Sequence, residues 1–250
     1  MEGREDRYGF DPGSVFDPVA DEYEAARPRY PEAFYLALEG LIGPLHGQRV
    51  IDVGAGTGIS TRGLAARGAL VVAIDPSLTM LRHARAGGLC ASVAQGEALP
   101  FRSACADAVS YAQAWHWVTI DSASGEARRV LRDGGHLALW WNVSDTPAGW
   151  LDDLASRCGL GRYGVGDHQA DPSTLIHRCG FQSVDHASVS WDWTVTVEQW
   201  VRVASTRSTI AAQGQRPDAQ LEAIRLLVAN AFPNGIVTER FTVHLTVAVP

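Results

Sequence analysis

Gly54, Gly56 and Gly58 stand at alternate positions in V-I-D-V-G-A-G-T-G-I-S, between a short apolar run, Val50 to Val53, and a helical segment opening near Ile59. Glycines so spaced let the backbone turn sharply and approach a ligand closely, with the unpaired N–H groups of a helix N-terminus beside it. Further on, the apolar run Leu70-Val71-Val72-Ala73-Ile74 ends in Asp75. A carboxylate there is placed to accept hydrogen bonds from both hydroxyls of a ribose. Together the two features read as a nucleoside-binding site. Asp52, inside the first strand, refines the reading: a nearby carboxylate repels a pyrophosphate but tolerates a ligand carrying an ammonium and a sulfonium. The dinucleotide spacing G-x-G-x-x-G is not met either, because the third glycine arrives one residue early.

A second group of reactive residues follows the fourth strand, in Q-A-W-H-W. His116, between Trp115 and Trp117, is the first candidate for a general base, since imidazole changes protonation near neutral pH without special tuning. The alternative is that it packs in its helix and bonds a carbonyl. His168 is second, in a loop able to cap a site; His177, His186 and His244 read as ordinary partly exposed residues. The chain has eight tryptophans. Trp140 and Trp141 are adjacent in a strand and must face opposite sides of the sheet. A tryptophan-rich pocket would suit a flat aromatic or a cationic substrate.

These residues need a scaffold, and the pattern supplies one. Phe16, Val19 and Tyr23 recur at helical spacing until Pro28, and a second helix is expected over Glu32 to Ile42. Strands are expected before the glycines, at Leu70 to Asp75, Ala91 to Ala94, Asp107 to Ala112 and His136 to Trp141, with helices to Ala66, over Ser77 to Ala86 and over Ser122 to Leu131. From Ser144 to Gly180 the pattern weakens into polar, glycine-rich pieces. A strand returns at Val184 to Val195, helices at Glu198 to Ile210 and Gln220 to Ala231, and a last strand in F-T-V-H-L-T-V-A-V. Alternating strands and helices imply a doubly wound, mostly parallel α/β sheet with helices on both faces. Met1 to Ser14 is expected to be a mobile tail.

Composition narrows the partners. The chain of 250 residues suits one α/β domain, and its net charge of −7 disfavours nucleic acid, whose binding needs a surplus of cations. No lysine is present, so Schiff-base chemistry is excluded. Cys90, Cys105, Cys158 and Cys179 show no C-x-x-C spacing, and neither a metal site nor a disulfide is expected. No apolar run approaches membrane-spanning length, and a cytoplasmic protein without a membrane partner, monomeric or homodimeric, is expected.

The stretch V-I-D-V-G-A-G-T-G closely resembles the first motif of the class I S-adenosylmethionine-dependent methyltransferases. V-V-A-I-D-P-S, G-E-A-L-P-F, A-D-A-V and E-A-R-R-V-L-R-D-G-G-H-L-A-L follow in the family's order. F-D-P-V-A-D-E-Y…R-P-R-Y-P, A-Q-A-W-H-W and the stretch Trp191 to Ile210 look like a small-molecule branch of the trans-aconitate methyltransferase type. The resemblance implies a Rossmann-like fold with an antiparallel C-terminal strand and an N-terminal helical cap. It implies S-adenosyl-L-methionine as cofactor and S-adenosyl-L-homocysteine as product. Gly54, Ala55, Gly56 and Gly58 would pass under the methionine moiety. Asp52 would act near the amino group or else hold the loop. Asp75 would grip the ribose, and Pro76, Gln95, Gly96 and Glu97 would border the adenine, although many relatives carry aspartate where Gln95 stands. Gln113 would lie beside the transferable methyl, and Tyr23, Arg27 and Tyr30 would close over the ligand, with Arg27 on its carboxylate. Tyr30, Trp115, Trp117 and His168 would line the substrate pocket.

The layout implied is one domain over 1–250: a cap at 1–45, a cofactor-binding core at 46–143, a variable insert at 144–180, and strands and helices completing the sheet at 181–250. The expected activity is methyl transfer to an oxygen, carbon or nitrogen nucleophile of an aromatic or carboxylate-bearing specialised metabolite. Nucleic-acid and protein methyltransferases, and a non-catalytic nucleoside-binding member of the fold, are the alternatives. The position after the fourth strand reads Q-A-W-H instead of the [DN]-P-P-[YF] of many nucleic-acid enzymes.

Overall fold

Strand β1, Arg49–Val53, is buried from Val50 onward, as a central strand of a parallel sheet must be when both faces are covered. The computed structural model describes residues 13–146, 149–160, 179–212 and 218–250. The expected tail therefore lies almost wholly outside the described residues, as do His168 and His177.

Beside β1 lie β2, Leu70–Asp75, and β4, Ala106–Ala112, both parallel to it. Outside these lie β3, Cys90–Val93, and β5, Leu131–Ser144, again parallel to their neighbours. With β6, Ser183–Thr196, and β7, Ile236–Val249, the sheet has the order β3-β2-β1-β4-β5-β7-β6. Polar cross-strand pairs fix the direction of the last two strands. His186 meets Thr246, Ser188 meets His244, Ser190 meets Thr242 and Thr194 meets Thr238. As one strand advances, its partner recedes, so β7 runs antiparallel to β6. The expected α/β class with an antiparallel C-terminal strand is what the chain forms.

The described residues fall in two compact units. One is drawn from Met1–Pro28, Asn142–Val165 and Ser190–Thr242, the other from Arg29–Trp141, Gly166–Val189 and Val243–Pro250.

In the second unit, helices α2 (Glu32–Ile42), α3 (Ile59–Ala66), α4 (Leu78–Ala86) and α5 (Ile120–Val130) accompany β1 to β5. Ser77 caps α4 by accepting from the Met80 N–H. Phe34, Leu38, Leu81, Val109 and Leu139 are all buried to 1% exposure or less. Asp107 opens β4 between two arginines that open β1 and β5. It accepts from Arg49 N and Nε at 2.7 and 3.0 Å and from Arg132 Nε. The Arg49 hydrogen bond, chiefly, holds this carboxyl far below the usual carboxylate range. Its stabilising effect is therefore complete above an unfolded pKa near 3.9 and is lost as pH falls through the lower folded value. Solvent screens the half-exposed arginines, so Asp107→Asn is expected to cost about 1 kcal/mol, roughly 2–4 °C in Tm, at pH 7. Melts of both proteins down to pH 3 should show that gap narrowing.

In the first unit, a 3-10 turn at Asp17–Val19 leads into α1, Ala20–Ala26. Arg27 is extended, the conformation forced on a residue before proline. Two sequence expectations need correction here. The stretch after Ser144, read as irregular, contains helix α6, Trp150–Cys158. Leu151, Leu154 and Cys158 are its buried stripe, and Asp152 accepts from the Gly149 N–H to cap it. The single helix expected over Glu198 to Ile210 is broken. Helix α7 is Val197–Ser205, and α8 is the short Ser208–Ala211. Thr206 Oγ1 bonds back to Val203 O and Arg207 turns extended, which ends α7. Helix α9, Asp218–Ala231, supplies Ile224 and Val228 to a core shared with α6 and α7.

Candidate active site

The turn after β1 is where three left-handed residues meet. Gly54, Gly56 and Gly58 have φ of +67°, +57° and +87°, conformations that side chains resist. At Gly54 an added Cβ would lie 2.4 Å from the Ala114 methyl, so the loop packs directly on the segment after β4. Gly58 is the residue before α3, and no side chain caps that helix. The N–H dipoles of its first turn are thereby left to other acceptors.

Asp75 ends β2, 8% exposed, and binds both flanks of the site. Its Oδ2 accepts from Gly56 N and its Oδ1 from Ser77 N, each at 2.8 Å. Asp52 lies beneath the loop at 0% exposure. Its Oδ2 accepts from Ser60 Oγ at 2.6 Å and Thr61 Oγ1 at 2.7 Å, and its Oδ1 from Ser110 Oγ at 2.7 Å. One carboxyl thus joins β1, the start of α3 and β4. Burial raises its pKa, and the three hydroxyls oppose that shift.

After β3, Gln95 is exposed and Gly96 buried. An added Cβ at Gly96 would meet Val118, Val53 and the Tyr111 hydroxyl at 3.1 to 3.3 Å, so a side chain there requires those neighbours to give way. Glu97 Oε1 accepts from Thr119 N at 2.6 Å, just ahead of α5. The rest of G-E-A-L-P-F is tied to α5 as well. Glu126 Oε2 accepts from Leu99 N, and Arg129 donates to Phe101 O and Leu99 O. The E-A-R-R motif therefore holds the G-E-A-L-P-F motif.

Gln113, after β4, has φ +56°, a strained choice for a non-glycine residue at roughly 1–2 kcal/mol. Its N–H donates to Trp140 O at 2.9 Å, which holds the strain in place. A 3-10 turn, Trp115–Trp117, follows. Trp115 is 3% exposed and packs edge-to-face on Tyr111, so it belongs to the core of its unit. His116 and Trp117 are half-buried, with ring centroids 4.5 Å apart. Trp141 Nε1 donates to His116 Nδ1 at 3.4 Å, while Trp140 packs against Phe34 and Tyr30. Adjacent tryptophans thus serve opposite faces. Burial pushes the His116 imidazole down to about 4.

The structure places Asp52, Gly54 to Gly58, Asp75, Pro76, Gln95 to Glu97, Gln113, Trp115, His116, Trp117 and Tyr30 in one unit. Tyr23 and Arg27 belong to the other. There Arg27 donates through Nε to Thr206 Oγ1 at 2.8 Å and through Nη2 to Thr206 O at 2.7 Å, and it lies over the Tyr23 ring. Sequence reasoning missed Ser60, Thr61 and Ser110. Ser60 and Thr61, eight and nine residues after the acid, were the available signal; Ser110, 58 residues from it, gave none.

Comparison with known proteins identifies the family. Residues 51–139 match a family model described as a methyltransferase domain. The chain is 36% identical to an uncharacterised methyltransferase of Mycobacterium tuberculosis, over 91% of this chain and 93% of the other. A proposed type II methyltransferase structure from Anaeromyxobacter dehalogenans shares the fold at TM-score 0.66 and 23% identity, covering 89% of this chain and 96% of that one. Phosphoethanolamine N-methyltransferase 2 of Haemonchus contortus, solved with S-adenosyl-L-methionine, matches at TM-score 0.59 and 18% identity over 100% of this chain and 60% of its own. The chain belongs to the class I S-adenosylmethionine-dependent methyltransferases.

Proposed function

We propose that this methyltransferase acts on a small-molecule acceptor, an aromatic or carboxylate-bearing specialised metabolite of the kind taken by the trans-aconitate methyltransferase branch. The observation that carries the proposal is the half-buried His116, in contact with Trp117 and Trp141 three residues after the strained Gln113. Rings and one polar nitrogen suit a compact acceptor, whereas a net charge of −7 gives no electrostatic footing to a nucleic acid.

The residues present fit the cofactor. The glycine turn excludes side chains, and Thr57 Oγ1 within it is buried with no hydrogen-bond partner among the described residues. Gly54, Ala55, Gly56 and Gly58 would hold the methionine end, Asp75 the ribose, and Pro76, Gln95, Gly96 and Glu97 the adenine. Bound S-adenosylmethionine supplies a methyl already activated on a sulfonium. The chain's own residues then have to align the acceptor, exclude water and keep the loop rigid. Asp52 keeps the loop rigid and Gln113 shapes the exit from β4.

Calorimetry with S-adenosylmethionine and S-adenosylhomocysteine is the direct test, with micromolar binding of both expected. Homocysteine release should then appear with small aromatic or carboxylic acids. Release only with tRNA, DNA or peptide would overturn the small-molecule reading.

A further inference from the structure

β1, β4 and β5 run parallel, so the glycine turn leaves their C-terminal ends while Asp107 and Arg132 stand at the opposite ends. There a cavity of about 500 Å³ opens between the last turn of α5, the first residues of β5 and Pro250. Arg128, Arg129 and Arg132 line it, with Asp133 as the one carboxylate in its wall. All of these residues lie in one unit. Cations in the last turn of a helix ordinarily answer its dipole, and Arg129 does little else. Its guanidinium is taken up by Glu126, Leu99 O and Phe101 O. The other two arginines differ. Arg128 reaches Cys179 O through Nη1 at 3.4 Å, and a Cβ on Gly180 would come within 2.6 Å of that same Nη1. Gly180, at φ +86°, thus leaves the room in which this guanidinium lies. Arg132 donates through Nε to Asp107 and through Nη1 to Asp133 O at 2.9 Å. Each guanidinium is held by part of its fork, and neither Nη2 bonds another described residue.

We propose that this cavity binds a sugar phosphate, with Arg128 and Arg132 donating to the phosphate oxygens, at a site separate from the glycine turn. Planar forks anchored before the ligand arrives give charge-assisted donors in the geometry that phosphate oxygens match, and anchoring lowers the entropic cost of binding. The volume is that of a small-ligand site, with room beyond the phosphate. Asp133 decides what fills that room. A carboxylate in the wall repels a second anionic group and accepts hydrogen bonds from hydroxyls, so a neutral polyol attached to the phosphate suits it. The proposal needs no methyl transfer, and the ligand would occupy this cavity whether or not the cofactor is bound.

The test titrates the 15N-labelled full-length protein with ribose 5-phosphate, inorganic phosphate and ribose, in phosphate-free buffer at fixed ionic strength. Arginine Nε–H signals are followed by proton–nitrogen NMR, and that of Arg128 is identified by its loss in Arg128→Gln. Arg128 is exposed in the last turn of α5 and bonds one carbonyl, so this variant is expected to fold. Ribose 5-phosphate is expected to shift the Arg128 signal saturably, with and without S-adenosylhomocysteine. Calorimetry should show its affinity about tenfold weaker in Arg128→Gln, the loss of one charged donor. No saturable shift at millimolar ribose 5-phosphate would overturn the proposal. Equal affinity in the variant, or displacement by S-adenosylhomocysteine, would place the ligand elsewhere and overturn it too. Inorganic phosphate binding as tightly as ribose 5-phosphate would overturn the sugar assignment, and ribose binding as tightly would overturn the phosphate one. Failure of S-adenosylhomocysteine itself to bind would instead strike the methyltransferase reading and leave this result standing.

Discussion

Asp75→Ala is expected to weaken S-adenosylmethionine binding by at least about 100-fold, because two hydrogen bonds to a charged carboxylate contribute roughly 1.5–3 kcal/mol each. The structure adds a second reason. The same carboxylate holds the Gly56 and Ser77 N–H groups, one on each side of the expected ribose position. Alanine therefore removes the ligand's acceptor and also loosens the glycine turn. A modest fall in Tm should accompany the affinity loss, so binding is to be measured by calorimetry well below the variant's melting temperature. Asp75→Asn separates the two effects. Its single carbonyl oxygen can serve one of the two backbone donors, so the turn should be partly kept while affinity is still lost. Unchanged affinity in Asp75→Ala would remove the residue from the cofactor site.

Much of this site was legible because it is local. The glycine spacing, the apolar runs of β1 and β2 and the acidic end of β2 all lie within 26 residues, and each follows from a backbone requirement that few residue types meet. What sequence could not supply was the pairing of distant groups. Asp52 and Ser110 are 58 residues apart, and Trp141 lies 25 residues from His116. Neither contact leaves a periodic trace. The breaks in helical segments were hidden for a related reason. Thr206 ends α7 through a side-chain bond to Val203 O, while the apolar pattern runs on past it to Ile210. Helix α6 went unread because three buried positions among polar residues give too weak a stripe. Arg27, which the family resemblance sets on the ligand's carboxylate, donates in the structure to Thr206, 179 residues away, a contact that no local pattern announces.

Asp52→Ala is expected to be the most destabilising single change in the site, by about 2–4 kcal/mol, since it leaves a cavity and strips three buried hydroxyls of their acceptor. For a chain of this size that is a fall of roughly 4–16 °C in Tm. The lower end applies if Ser60 and Thr61 turn to carbonyls of their own helix. Asp52→Asn keeps the shape and tests the role. If the residue holds the loop, the amide should bind S-adenosylmethionine within a few-fold of wild type, because the hydroxyls can accept as well as donate. A loss on the order of 100-fold would mean that the negative charge itself meets the ligand's ammonium. The pH dependence has a defined sign. Burial raises the folded pKa of Asp52, so its contribution is complete below the unfolded pKa and is lost as pH rises through the folded value. Wild type should therefore lose stability relative to Asp52→Asn as the pH is raised, the reverse of the trend at Asp107. Paired melts of the three proteins separate the two carboxylates: one, at the start of β4, is stabilising when ionised, and the other, under the glycine turn, is disfavoured in its charged form by burial, which three hydroxyls oppose.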